Sequence, residues 1–113
     1  MILSEAVEGL SALAQEHRLR VFRLLVRAGA EGLPAGQIAR ETGVLPSTLS
    51  THLTILGHAG LVRSRREGRS VIYSADYDGM GELLGFLVDD CCDGHPEICA
   101  PLAAVAQGCC PSQ

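Results

Sequence analysis

The sequence predicts a mainly α-helical domain with one small β-hairpin, ordered as four helices, a hairpin and a fifth helix, which is the order of a winged helix-turn-helix. Three observations predict it. Apolar residues recur at helical spacing in five segments, Gly and Pro punctuate the gaps between them, and a single pair of short β-branched, Arg-bearing segments interrupts the series before the last helix. A chain of 113 residues fits one compact domain. With no Trp, two Phe and two Tyr, its core has to be built from Leu, Val, Ile and Ala.

Leu3, Val7, Leu10 and Leu13 mark a first amphipathic helix from Ile2 to Leu13. From about Glu16 to Ala28, Leu19, Phe22 and Val26 share a face that Val21, Leu24, Leu25 and Ala28 widen, so this segment predicts the central core helix. Gly29 and Gly32 end it. Pro34 suits the first turn of a third helix that stops at Gly43, and Pro46 opens a fourth that runs to about His58. In the fourth helix Leu49, Leu53 and Leu56 are expected inward, and Ser47, Thr48, Ser50, Thr51 and His52 mostly outward. Leu61 to Arg66 and Arg69 to Ala75, joined across Glu67-Gly68, predict the hairpin. A fifth helix follows from about Tyr77 to Asp90, weakened by Gly79, Gly81 and Gly85 and therefore expected to lean on a partner. Residues 1–92 are thus expected to form the winged-helix domain, and residues 93–113 a Cys-rich tail with one short Ala-rich piece around Leu102 to Ala106.

Charge is segregated along the chain. The formal net charge is −4, yet residues 37–73 hold Arg40, Arg63, Arg65, Arg66 and Arg69 against only Glu41 and Glu67, while the segment from Ser74 onward has acids and no base. A phosphate meets a local patch, not the net charge, so an acidic total does not exclude nucleic acid. No stretch approaches the roughly 20 apolar residues of a membrane span. The start MILSEAVEGL shows no basic segment followed by an apolar run, so a cytoplasmic protein is expected. No nucleophile, base and orienting residue stand at motif spacing, and there is no Gly-rich phosphate loop, so an enzyme is not expected.

Gln37 to Leu56 has helix-turn-helix spacing: small Ala39 lets two helices approach, Gly43 permits a left-handed turn, and Leu49 and Leu53 lock the pair. In that arrangement the fourth helix enters the major groove. Ser47, Thr48, Ser50, Thr51 and His52 then meet phosphates or base edges, and Arg63, Arg65, Arg66 and Arg69 lie on the wing beside the backbone. The competing expectation is a plain helical hairpin beside a solvated β-hairpin.

The stretches HRLRVFRLLV and LPAGQIARETGVLPSTLSTHLTILGHAGLVRSRREGRSVIYS resemble the ArsR/SmtB family of metal-responsive repressors from about His17 to Ser74, with STLSTHLTILGHAGLV and the following GR-x-V-x-Y the more specific parts. The resemblance implies a homodimer joined through the first and fifth helices, and operator DNA released when an ion binds.

All five cysteines fall in the last 23 residues: Cys91, Cys92, Cys99, Cys109 and Cys110. Reduced thiols select soft ions. Cys91, Cys92 and Cys99 make a local triad suited to trivalent arsenic or antimony, which takes three sulfurs, and clusters of this form resemble those of arsenic-responsive family members. The family's other arsenic motif, a cysteine box in the helix before the recognition helix, is absent, since Gln37 to Thr42 holds no Cys. Zinc, cadmium or lead would be served by a fourth ligand from Cys109, Cys110 or His95. Family members that respond to zinc carry His and Asp along the fifth helix, and Tyr77 to Asp90 contains no His. His95 reads as a loop residue, and His17 and His58 as structural. The sequence therefore predicts a repressor induced by As(III) or Sb(III), with no organic cofactor. A thiol redox sensor and a soft-metal carrier stay open beside it.

Overall fold

The computed structural model describes residues 1–88. The end of the expected fifth helix at Asp90, the five cysteines, His95 and the Leu102–Ala106 piece lie outside the described residues.

The elements run α1 (Leu3–Leu13), α2 (Glu16–Ala28), a 3-10 turn (Gly29–Glu31), β1 (Leu33–Pro34), α3 (Ala35–Thr42), α4 (Pro46–His58), β2 (Val62–Glu67), β3 (Ser70–Ala75) and α5 (Tyr77–Leu87). This is the expected winged helix-turn-helix, with one addition. Leu33 and Pro34 form a third, edge strand antiparallel to β3, in register with Tyr73 and Ile72, so the sheet order is β1-β3-β2. Pro34 therefore stands just ahead of α3 in extended backbone rather than inside its first turn, and an edge strand tolerates it because the missing N–H costs no ladder bond there.

α2 is the hub. Val21 and Leu25 are fully buried and Phe22 nearly so, packed with Ile38 of α3, Leu49, Leu53 and Leu56 of α4, Leu61, Val62, Ala75 and Leu83 of α5. Each large aliphatic side chain so enclosed contributes about 1.5–3 kcal/mol relative to solvent. Gln15 starts α2 by accepting the Arg18 N–H (2.8 Å), and the Arg18 guanidinium turns back to the Ala12 carbonyl (2.7 Å), fixing the corner between α1 and α2.

α1 packs with its small residues. Ala6, Gly9 and Ala12 face the body, with Leu83 of α5 against Gly9, while Leu3, Val7 and Leu10 of the expected apolar face point to solvent at 68%, 54% and 42% exposure. Leu84 and Leu87 of α5 are likewise half exposed. Gly79 has its own reason: a Cβ there would collide with the Gly60 carbonyl, so the glycine is what lets α5 cross the end of α4. Gly81 and Gly85 meet nothing. No helix among the described residues is long and apolar enough to cross a membrane.

Candidate nucleic-acid interface

The helix-turn-helix is formed by α3 and α4. α3 closes on Gly43, which adopts the left-handed conformation (φ 75°) and donates to the Ala39 carbonyl (2.9 Å). The Thr42 hydroxyl is satisfied within α3 by the Ile38 carbonyl (2.7 Å), and Val44 is buried beneath the turn. Pro46 is the first helical residue of α4, where its ring pre-sets the backbone and its absent N–H is harmless.

On α4 the expected split between faces holds for all residues but one. Leu49, Leu53 and Leu56 are buried, and Ser47, Thr48, Ser50 and Thr51 are exposed together on the outer stripe. Thr54 continues that stripe and was legible from the same spacing; its hydroxyl donates to the Ser50 carbonyl (2.9 Å).

His52 is the correction. It is 7% exposed, facing inward beside the His17 ring of α2 (centroids 6.0 Å apart), and neither ring nitrogen has a hydrogen-bond partner among the described residues. Burial first, and then the positive charge of Arg18 and the neighbouring His17, push its pKa below the ordinary histidine value. A side chain enclosed in this way does not reach a base edge. The spacing carried the signal, since His52 stands three residues after Leu49 and four before Leu56, on the inward stripe.

The wing is β2 and β3, paired from Val62↔Ala75 to Glu67↔Ser70. The turn is Gly68-Arg69, one residue later than expected, with Gly68 at φ 62°; Glu67 belongs to the strand and Arg69 to the tip. All four wing arginines are exposed, yet they divide into two kinds. Arg65 donates to Glu67 (2.7 Å) and to the carbonyls of Ala30 (3.2 Å) and Glu31 (2.8 Å), pinning the wing to the turn after α2. Arg63 pairs with Asp76 (3.2 Å) and Asp78 (3.6 Å) at the start of α5. Arg66 and Arg69 make no ion pair among the described residues and carry their charge outward.

Asp76 also accepts the Gly79 N–H (3.0 Å) as the cap of α5. That N–H, helped by the Arg63 guanidinium and opposed by burial, holds its carboxyl below the usual range. Between α4 and the wing runs an open groove of ≈ 360 Å³ whose polar lining includes Thr54, His58, Arg63 and Ser64. His58 is thus an exposed groove residue rather than a structural one, and His17 is exposed while its ring lies against His52.

An exposed hydroxyl stripe on the second helix of the motif, flanked by an arginine-tipped wing, is a surface built for duplex phosphates and base edges. Residues 13–65 match the family described as "Helix-turn-helix domain". The nodulation protein NolR of Rhizobium meliloti is 36% identical over 80 residues, a match covering 71% of this chain and 63% of NolR. The homodimeric winged helix-turn-helix DNA-binding domain from Mycobacterium bovis, described as a possible ArsR-family transcriptional regulator, superposes with TM-score 0.63 at 30% identity, covering 78% of this chain and 82% of that one. The chain belongs to the ArsR-like family of helix-turn-helix transcriptional regulators.

For this ArsR-like regulator a further solved structure is relevant, described as a possible transcriptional regulator for arsenical resistance. It is 28% identical with TM-score 0.64, covering 83% of this chain and 95% of that one. These matches are to helix-turn-helix proteins described as transcriptional regulators.

Proposed function

We propose that the chain is a homodimeric repressor whose hold on operator DNA is weakened by trivalent arsenic or antimony captured by Cys91, Cys92 and Cys99. The observation that carries the reading is positional: every cysteine of the chain follows α5, and the first two come within five residues of its last helical residue, Leu87. Three thiolates are the donor set that a soft trivalent ion selects, and α5 offers no His as an alternative. The similarity to a possible regulator for arsenical resistance points the same way.

The dimer is supported by the outward apolar residues of α1 and α5. Leu3, Val7, Leu10, Leu84 and Leu87 are exposed on these two helices and offer apolar surface for a partner to cover. A second copy, using the same surface on both subunits, buries it.

From the thiols to the groove the chain supplies a short path. Asp76 caps α5, holding the Gly79 N–H on the helix side and Arg63 on the wing side. A shift of α5 at the dimer interface therefore moves the carboxylate that positions a wing arginine, and changes the spacing of the two α4 helices. By linkage, DNA must weaken ion capture by the same factor.

The test is an anisotropy titration of duplex operator with the reduced full chain, with and without arsenite. The expected result is a loss of affinity within the roughly 5–150-fold range typical of such coupling, absent in Cys91→Ser/Cys92→Ser. Unchanged wild-type affinity overturns the arsenic reading; a response to a thiol oxidant alone transfers the function to redox sensing, and one to zinc alone to a four-ligand site.

A further inference from the structure

Leu45 is the most exposed large apolar side chain among the described residues, at 69%. It stands in the residue just before α4, where its extended backbone (φ −62°, ψ 142°) is that of a helix cap and its side chain makes no cap bond. Ser, Thr, Asp and Asn are preferred at this place because a side-chain oxygen can accept a free N–H of the first turn, which leucine cannot do. The residue thus weakens the free protein twice, by leaving the helix uncapped and by exposing hydrocarbon to water. Departures of this kind from local rules gather at functional positions.

Its surroundings say what covers it. Leu45 borders a shallow depression of ≈ 550 Å³ shared with Arg40, Gly43 and Pro46, in which Arg40 is the one charged lining residue. Ser47 and Thr48, one turn further along α4, are exposed hydroxyls. When a helix-turn-helix docks, the N-terminal residues of its second helix meet base edges while the first helix crosses the backbone. Arg40 on α3 then fits a phosphate, and Leu45 arrives among bases. In the major groove the thymine C5-methyl is the base-edge group whose chemistry matches an aliphatic side chain.

We propose that Leu45 is a specificity-determining residue that packs on a thymine C5-methyl in each half-site. The proposal rests on the DNA-binding reading above and is independent of the inducer. It also supplies discrimination that the hydroxyls of Ser47, Thr48, Ser50 and Thr51 lack, since Ser and Thr accept or donate to several bases.

Duplexes selected from a random library by the full chain supply the probe, and each thymine of the selected sequence is replaced in turn by deoxyuridine, which keeps base pairing and removes only the methyl. At one position the wild type is expected to bind about fourfold more weakly per methyl lost, and roughly 15-fold when both half-sites are changed. Leu45→Ser is expected to ignore the replacement, and to melt at a higher temperature than the wild type because serine caps α4. If the wild type binds uridine duplexes as tightly as thymine ones, or if Leu45→Ser keeps the wild-type sensitivity and melts lower, Leu45 has no reading role even though DNA binding stands. Failure to retain any duplex overturns the DNA-binding reading itself.

Discussion

His52 shows how one inward residue couples the recognition helix to pH. Its imidazole is buried beside His17 and near the Arg18 charge, with no partner for either nitrogen among the described residues, so folding favours its neutral form. Its folded pKa lies below the unfolded value of about 6.5, so on acidification the unfolded chain takes up the proton first. The stability it confers is complete above about pH 6.5 and is lost as pH falls through that value toward the lowered one. Thermal midpoints measured between about pH 7.5 and about pH 5 are expected to fall in the wild type, and to fall less in His52→Leu, which has no proton to gain. Equal slopes in both proteins would exclude His52 as the source. At the same scale, Gly43 was legible in the sequence because a left-handed turn selects glycine locally. The inward turn of His52 was also legible, in its spacing from Leu49 and Leu56, but a histidine in a run of Ser and Thr reads as one more polar contact unless that spacing is given precedence.

The wing is the element whose parts do different work. Arg65 is spent on the Ala30 and Glu31 carbonyls, so Arg65→Ala is expected to loosen the wing and lower the melting temperature. Arg66 and Arg69, exposed toward the tip, are expected to act through phosphate. Arg66→Ala or Arg69→Ala should leave the melting temperature nearly unchanged and reduce the steepness of log K against log salt by about 0.9 per subunit, or roughly 1.8 for the dimer. A salt slope lowered by Arg65→Ala but not by Arg66→Ala and Arg69→Ala would reverse the assignment. The hairpin itself was readable from two short segments with β-branched and aromatic content joined across a glycine. The division among its arginines depends on carbonyls more than 30 positions away, which no local pattern reports. The edge strand Leu33–Pro34 escaped for the same reason: two residues carry no periodicity, and its pairing with Tyr73 and Ile72 is entirely non-local.

For the molecule as a whole, the decisive feature is α1, which turns Ala6, Gly9 and Ala12 inward and leaves Leu3, Val7 and Leu10 outside with Leu84 and Leu87 of α5. Val7→Glu combined with Leu84→Glu is expected to give a folded monomer by sedimentation, and to weaken operator binding by about 10²-fold or more as two linked half-site contacts become one. A dimer that survives both charges would place the interface elsewhere.

Helical spacing, the glycine and proline stops, the hydroxyl stripe of α4 and the Arg-rich hairpin are all written in residues close together in the chain, and from them the order of elements and the DNA-reading surface follow. Which face of α1 turns inward and which arginines are already engaged depend on surfaces brought in from distant segments. Periodicity can say that a face is apolar, but only packing can say whether the neighbour that buries it belongs to the same chain.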